Sequence, residues 1–149
     1  MTAPSFMDQA LQAAENAAEL GEVPIGAVIV LNGEVIATAG NSTIIGNDPT
    51  AHAEILAIRQ AAGKLGSQRL ADCDLYVTLE PCTMCAGAIS FARIRRLYFG
   101  AADLKGGGVD SGVRFFAQPT CHHAPEVYPG IAESEASDIL RDFFRSRRD

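Results

Sequence analysis

At 149 residues, with 48% apolar and 20% charged side chains, the chain has an ordinary globular composition and the length of one domain, expected to span 1–149. A formal net charge of −6 speaks against a uniformly basic nucleic-acid binder, and polar residues interrupt every apolar run, which excludes a membrane-spanning helix. Four cysteines behind an acidic N-terminal stretch (Asp8, Glu15, Glu19) fit a reducing, cytoplasmic setting better than a disulfide framework.

The first predicted element is an amphipathic helix over 5–20. Phe6, Ala10, Ala13, Ala17 and Leu20 recur at helical spacing, Ser5 can cap the start, and Gly21 can close the end. The segment "PIGAVIVLNGEVIATAG" carries two short apolar runs about Asn32-Gly33, a dipeptide suited to a type I′ turn, and so predicts a β-hairpin. "NSTIIGNDP" reads as a loop, and a second helix runs from about Thr50 to Lys64 with Gly66 beyond it. Leu75 to Leu79 form a buried strand. Pro81 fits the first turn of a third helix through "CTMCAGAISFA", and "IRRLYFG" is the next strand. Strand, helix and strand in immediate succession make a parallel βαβ unit. "AADLKGGGVDSG" reads as a flexible loop, because Gly106-Gly107-Gly108 lacks the strand-to-helix context of a phosphate loop. A helical turn in "VRFFAQP", a short edge strand in "PEVYPG" and a last helix over 132–147 complete the chain. Ile139, Leu140, Phe143 and Phe144 are expected on the core face of that helix. The sum is one α/β domain, a hairpin joined to parallel strands with helices on both sides.

Basic residues cluster despite the acidic total. Arg93, Arg95, Arg96, Lys105, Arg114, Arg141, Arg145, Arg147 and Arg148 fall within 91–114 and 141–148, against Asp103, Asp110 and Asp142. Such margins can present a local phosphate-binding surface, or serve only as solvated element ends.

The chemistry concentrates in "PTAHAEILAIRQ" and "EPCTMC". Two cysteines three apart after a strand serve as a redox dithiol, half of a structural clamp, or part of a catalytic metal site. His52 and Glu54 upstream complete the pattern H-x-E…P-C-x-x-C, the signature of zinc-dependent nucleobase and nucleoside deaminases. Two thiolates, Cys82 and Cys85, and the neutral imidazole of His52 make a three-ligand set that leaves a fourth position for water. Glu54 need not ligate anything. It can take a proton from that water, deliver one to a ring nitrogen and supply one to departing ammonia. Helix N-termini add backbone N–H donors for the thiolates. Residues i and i+2 do not share a helix face, so His52 and Glu54 reach one site only from an irregular first turn. A redox pair leaves His52 and Glu54 without a role. A closed structural zinc site needs a fourth ligand, for which Cys121, His122 and His123 are the candidates. Cys73 reads as a small buried hydrophobe.

"NDPTAHAEI", "LYVTLEPCTMCAGAISFARIRRLYFGA" and "FFRSRR" resemble the bacterial tRNA adenosine deaminases of the cytidine deaminase superfamily, over nearly the whole chain. The resemblance implies a three-layer α/β/α fold with a five-stranded mixed sheet, one Zn2+ per subunit and a homodimer. It also implies the reaction, adenosine to inosine at the wobble position of a tRNA anticodon loop. By position, His52, Cys82 and Cys85 match the zinc ligands and Glu54 the proton shuttle. Asn41 matches a residue that hydrogen-bonds the flipped base, and Ala53 a position whose backbone N–H meets the base edge. Asp103 and Lys105 fall in the loop that contacts nucleotides beside the target. Phe144 and Arg145 fall on the terminal helix that approaches the anticodon loop, where aromatic and basic residues alternate. The chain departs from the family over Ser111 to Phe116, where a Ser-Leu-Met-like segment is common. Two other readings stand beside this one. A deaminase of free guanine or cytosine shares the zinc motif and needs no basic surface. A non-catalytic, zinc-stabilised RNA-binding module leaves Glu54 without a use.

Overall fold

The structure, a computed structural model, describes residues 5–147. In chain order the elements are α1 (Phe6–Glu19), β1 (Gly26–Leu31), β2 (Glu34–Gly40), α2 (Ala53–Leu65), β3 (Cys73–Leu79), α3 (Thr83–Ala92), β4 (Arg96–Ala101), β5 (Glu126–Tyr128) and α4 (Glu133–Arg147). The five strands form one mixed sheet in the order β2-β1-β3-β4-β5. β1 runs antiparallel to both β2 and β3, while β3, β4 and β5 are parallel. Among the described residues, no helix is long and apolar enough to cross a membrane.

Side-chain alternation along the strands defines two cores. Ala27, Ile29, Leu75, Val77, Leu97 and Phe99 pack with Ala53, Ala57 and Ala61 of α2 and Ala86 and Ile89 of α3. Val28, Val30, Tyr76 and Tyr98 face the other way, toward Met7, Ala10 and Leu11 of α1 and Ala136 and Ile139 of α4. This is the expected α/β/α sandwich. The interior strand β1 is apolar on both faces because helices cover both, so its sequence reads as an unbroken hydrophobic run.

Local chemistry sets the element ends. Ser5 and Asp8 form a reciprocal capping box, Ser5 Oγ accepting from the Asp8 N–H at 3.1 Å. Gly21 follows the helix with φ +84°. Asn32 and Gly33 both take positive φ, 51° and 78°, as the type I′ hairpin requires. The parallel register Tyr76–Tyr98–Tyr128 stacks three tyrosine rings across β3, β4 and β5, with centroids 4.3 and 4.9 Å apart.

Several expectations need correction. Leu20 is the C-cap residue of α1 and 67% exposed; the buried face is completed by Met7, Leu11 and Ala14 instead. β3 begins at Cys73, which is a buried strand residue rather than one ahead of the strand. α2 begins at Ala53, later than expected, and Pro81 stands two residues before the first helical residue of α3. On α4, Ala136 is the buried residue and Phe144 is 47% exposed, because the last turns of α4 run beside α1 instead of over the sheet. Arg148, counted above among the basic residues, lies outside the described residues.

α1 approaches β1 most closely at Gly26. A Cβ there would lie 2.0 Å from the Ala10 carbonyl oxygen and 2.6 Å from the Ala14 nitrogen, both backbone atoms that cannot turn aside. Gly26→Ala is therefore expected to cost about 2–3 kcal/mol of folding stability, read as a lowered urea midpoint.

Candidate metal and catalytic site

β3 and β4 end on the same edge of the sheet, and the site gathers just beyond those carboxyl ends, the usual location for ligands in parallel α/β sheets. Two helices begin there. His52 is the N-cap of α2, extended at φ −71° and ψ 153°, and its side chain makes no capping bond to the helix. Cys82 is the N-cap of α3, also extended, and Cys85 lies in the first turn. The demand for an irregular approach is met in this way. His52 stands outside the helix while Glu54 is within it, so the two side chains converge although they are two residues apart.

His52 Nδ1 lies 3.6 Å from Cys82 Sγ and 3.4 Å from Cys85 Sγ. Among the described residues, this is the one group of three or more His, Cys, Asp or Glu residues whose ligand atoms lie within 4.8 Å of one another. A tetrahedral centre with bonds of about 2.1 Å to nitrogen and 2.3 Å to sulfur would separate those atoms by about 3.6 Å, so the donor set fits such a metal. The Cys85 thiol, aided by the His52 ring, holds the Cys82 thiol down to about 5 against burial. The same contact and burial push the Cys85 thiol up. Among the described residues, no fourth His, Cys, Asp or Glu joins this group. Cys121 Sγ and His123 bond Ser90 and the Ile94 carbonyl, at the far end of α3, eight residues and about 12 Å of helix from Cys82.

Glu54 is 4% exposed. Burial pushes its carboxyl up to about 7, against its own backbone N–H and the His52 charge. Together with Ile25, His52, Leu79, Glu80, Cys82 and Asp103 it lines a cavity of about 100 Å³. A buried carboxyl that titrates near neutrality, beside a three-donor metal group, can both accept and return a proton.

The other expected residues are placed unequally. Ala53, fully buried, is the first residue of α2, where its N–H has no intrahelical partner. Asn41 is buried and donates its N–H to the carbonyl of Ile25, a wall of the cavity, but it lines a separate cavity of about 230 Å³ beside α1. Asp103 lines the smaller cavity, and Lys105 is exposed on the same loop. Phe144 and Arg145 are exposed on α4, outside both linings. Part of the basic margin is engaged elsewhere. Arg95 pairs with Asp74 and Arg96 with Glu126 at the opposite end of β4, and Arg147 covers the Phe143 ring at 4.7 Å.

The loop after β4 is not the flexible segment expected. Glu80, 2% exposed, accepts hydrogen bonds from the Asp103, Val109, Asp110 and Ser111 N–H groups and from the Ser111 hydroxyl. Burial would raise its carboxyl, but these donors outweigh it and hold the carboxyl below the ordinary range. Gly107 serves close packing: a Cβ there would lie 2.5 Å from the Glu80 carboxyl carbon. Sequence reasoning missed this because Glu80 binds backbone, which carries no residue signature. The available signal was an acidic residue directly after a buried strand.

The sequence profile of the MafB19-like deaminase family matches residues 1–148. A tRNA-specific adenosine deaminase from Agrobacterium fabrum is 68% identical over 143 residues, covering 96% of this chain and 94% of that protein. A solved structure from a study of A-to-I editing by tRNA:A34 deaminases at the wobble position of transfer RNA superposes with a TM-score of 0.90. It is 68% identical and covers 91% of this chain and 98% of its own. A guanine deaminase from Bacillus subtilis matches at TM-score 0.66 and 32% identity, covering 99% and 94%.

Metal binding should mask particular thiols. Adding one equivalent of a divalent metal to metal-free protein is expected to release protons and protect Cys82 and Cys85 from alkylation, while half-buried Cys121 still reacts. Peptide mapping of the alkylated protein reads the result.

Proposed function

The chain belongs to the MafB19-like deaminase family and stands with the tRNA-specific adenosine deaminases, and from that premise we propose that it converts adenosine to inosine at the wobble position of a tRNA anticodon. The observation that carries the chemistry is the buried carboxyl of Glu54 beside an imidazole and two thiols drawn to within 4.8 Å of one another.

His52, Cys82 and Cys85 would hold one Zn2+. When bound, the ion supplies a Lewis acid that makes water a nucleophile at neutral pH. The chain's own residues do the rest. Glu54 takes a proton from the attacking water and passes it to N1 of the adenine ring, then takes the remaining proton of the added hydroxyl and delivers it to the departing amine as the carbonyl forms. Water is consumed and ammonia released. Burial pushes the Glu54 carboxyl up from the ordinary range, the direction that suits a group that must gain and lose a proton in each cycle. Ala53 offers an unpaired N–H to the base edge, and Asn41 lies one hydrogen bond from the cavity wall. Asp103 and Lys105 on the rim, with Phe144 and Arg145 on α4, supply contacts to the unpaired nucleotides around the target. A tRNA substrate supports a cytoplasmic enzyme.

A homodimer is supported by the outer face of α3. Met84 and Phe91 are 38% and 77% exposed on a helix without a charged residue, at a spacing that aligns them.

Glu54→Ala is expected to keep zinc and fold while inosine formation in an anticodon stem-loop falls by about 10²–10⁴-fold; undiminished turnover would remove Glu54 from the mechanism. The guanine deaminase likeness makes free guanine the competing substrate. Ammonia release from guanine, with no inosine in the stem-loop, would overturn the RNA assignment. In light scattering, the wild-type protein is expected near twice the 15.7 kDa chain mass and Phe91→Arg near the monomer value.

A further inference from the structure

We propose that Glu80 is a positioning residue for the RNA substrate: its buried carboxylate holds the 102–111 loop in the shape that presents Asp103 and Lys105 to nucleotides beside the target base. The inference rests on the tRNA reading above and adds to it a residue at the cavity wall that acts through the loop it holds, both of its carboxylate oxygens being taken up by loop donors.

The geometry divides one carboxylate among the whole loop. Oε1 accepts from the Asp103 N–H and the Ser111 hydroxyl, each at 3.0 Å. Oε2 accepts from the N–H groups of Val109, Asp110 and Ser111 at 3.1, 2.9 and 2.9 Å. Five donors saturate the acceptor capacity of the group. They come from both ends of the loop, so Glu80 fixes the distance between its two limbs. The order then passes outward. Asp103, gripped by its backbone, uses Oδ1 to accept from the Lys105 N–H at 3.2 Å and the Gly106 N–H at 2.9 Å. The tip that carries Lys105 is therefore shaped by a residue that is itself shaped by Glu80.

The loop has a second anchor that does not depend on this carboxylate. The Gly108 N–H donates to the Pro81 carbonyl at 2.8 Å, and Cys82 and Gly107 form a β-bridge. Weakening the Glu80 contacts thus frees the substrate-facing limb while the start of α3, with Cys82, keeps its own tie. Loop and charge also require each other. A buried carboxylate is tolerated only when donors surround it, and here the loop backbone is nearly all of that surround. Glycine at 107 lets the chain close over the carboxyl group, where any Cβ would collide with it.

The test uses zinc-loaded protein and an anticodon stem-loop with adenosine at the wobble position. Glu80→Gln keeps size but turns one acceptor into a donor aimed at other donors. The expected result is a KM raised about tenfold with kcat changed less than about threefold, unchanged zinc content, and faster amide exchange at residues 103 and 109–111. Ser111→Ala removes the hydroxyl contact alone and is expected to raise KM by about two- to threefold, which keeps the test open if Glu80→Gln does not purify. Unchanged KM with faster exchange would show that loop order does not serve the substrate and would overturn the proposal. Lost zinc and lost kcat at unchanged KM would also overturn it, assigning Glu80 to the metal helix instead. Wild-type protein that forms no inosine in the stem-loop defeats the tRNA reading and this inference with it. Wild-type turnover with variants of equal KM defeats the inference alone.

Discussion

Two helices must lie close enough for an imidazole at the start of α2 to reach two sulfurs at the start of α3. The separations, 3.4 and 3.6 Å, leave little tolerance. Small residues make that approach available: Ala53, Ala57 and Ala61 on α2 and Ala86 on α3 share one core with the sheet. Larger side chains there would push the helices outward and separate the donors. N-cap positions usually carry Ser, Thr, Asp or Asn, whose side chains close the helix. His52 and Cys82 occupy both caps here. The local rule is broken where the metal chemistry is proposed, as expected when stability is traded for function.

Three buried glutamates lie around this edge of the sheet, and their surroundings give them different work. Glu22, 1% exposed, accepts from the N–H groups of Ile44 and Ile45 and steadies the loop between Asn41 and His52. Glu80 accepts five hydrogen bonds and stays ionised below the ordinary range. Glu54 is just as buried but is pushed up to about 7, because its own backbone N–H and the His52 charge do not offset burial. Donor supply separates a structural carboxylate from one able to exchange protons. Residue type and burial alone do not distinguish them.

The strongly periodic and strongly punctuated segments were legible in the sequence. Asn32-Gly33 announced its hairpin, Ser5 its helix, and the succession around Cys82 its parallel strands. The constellation of His52, Glu54, Cys82 and Cys85 was readable because each of those side chains is rare and chemically distinctive. Errors came where several partners compete for one residue type. Arg95 and Arg96 counted toward a basic surface, yet both are engaged with acidic neighbours across the sheet. Phe144 fell on an apolar helical stripe, yet the stripe outruns the sheet that would have covered it.

Taken alone, the sequence determined the order of elements, the turn chemistry and the residue types available to bind a metal and move a proton. Those follow from local backbone preference and from the donor atoms of individual side chains. Only the tertiary structure decided that His52 stands outside its helix, that Cys121 and His123 are spent at the far end of α3, and that a glycine-rich loop is held by Glu80. Each of those outcomes depends on contacts between residues about 20 or more positions apart, many to backbone groups that look the same in every residue, so no local pattern could carry them.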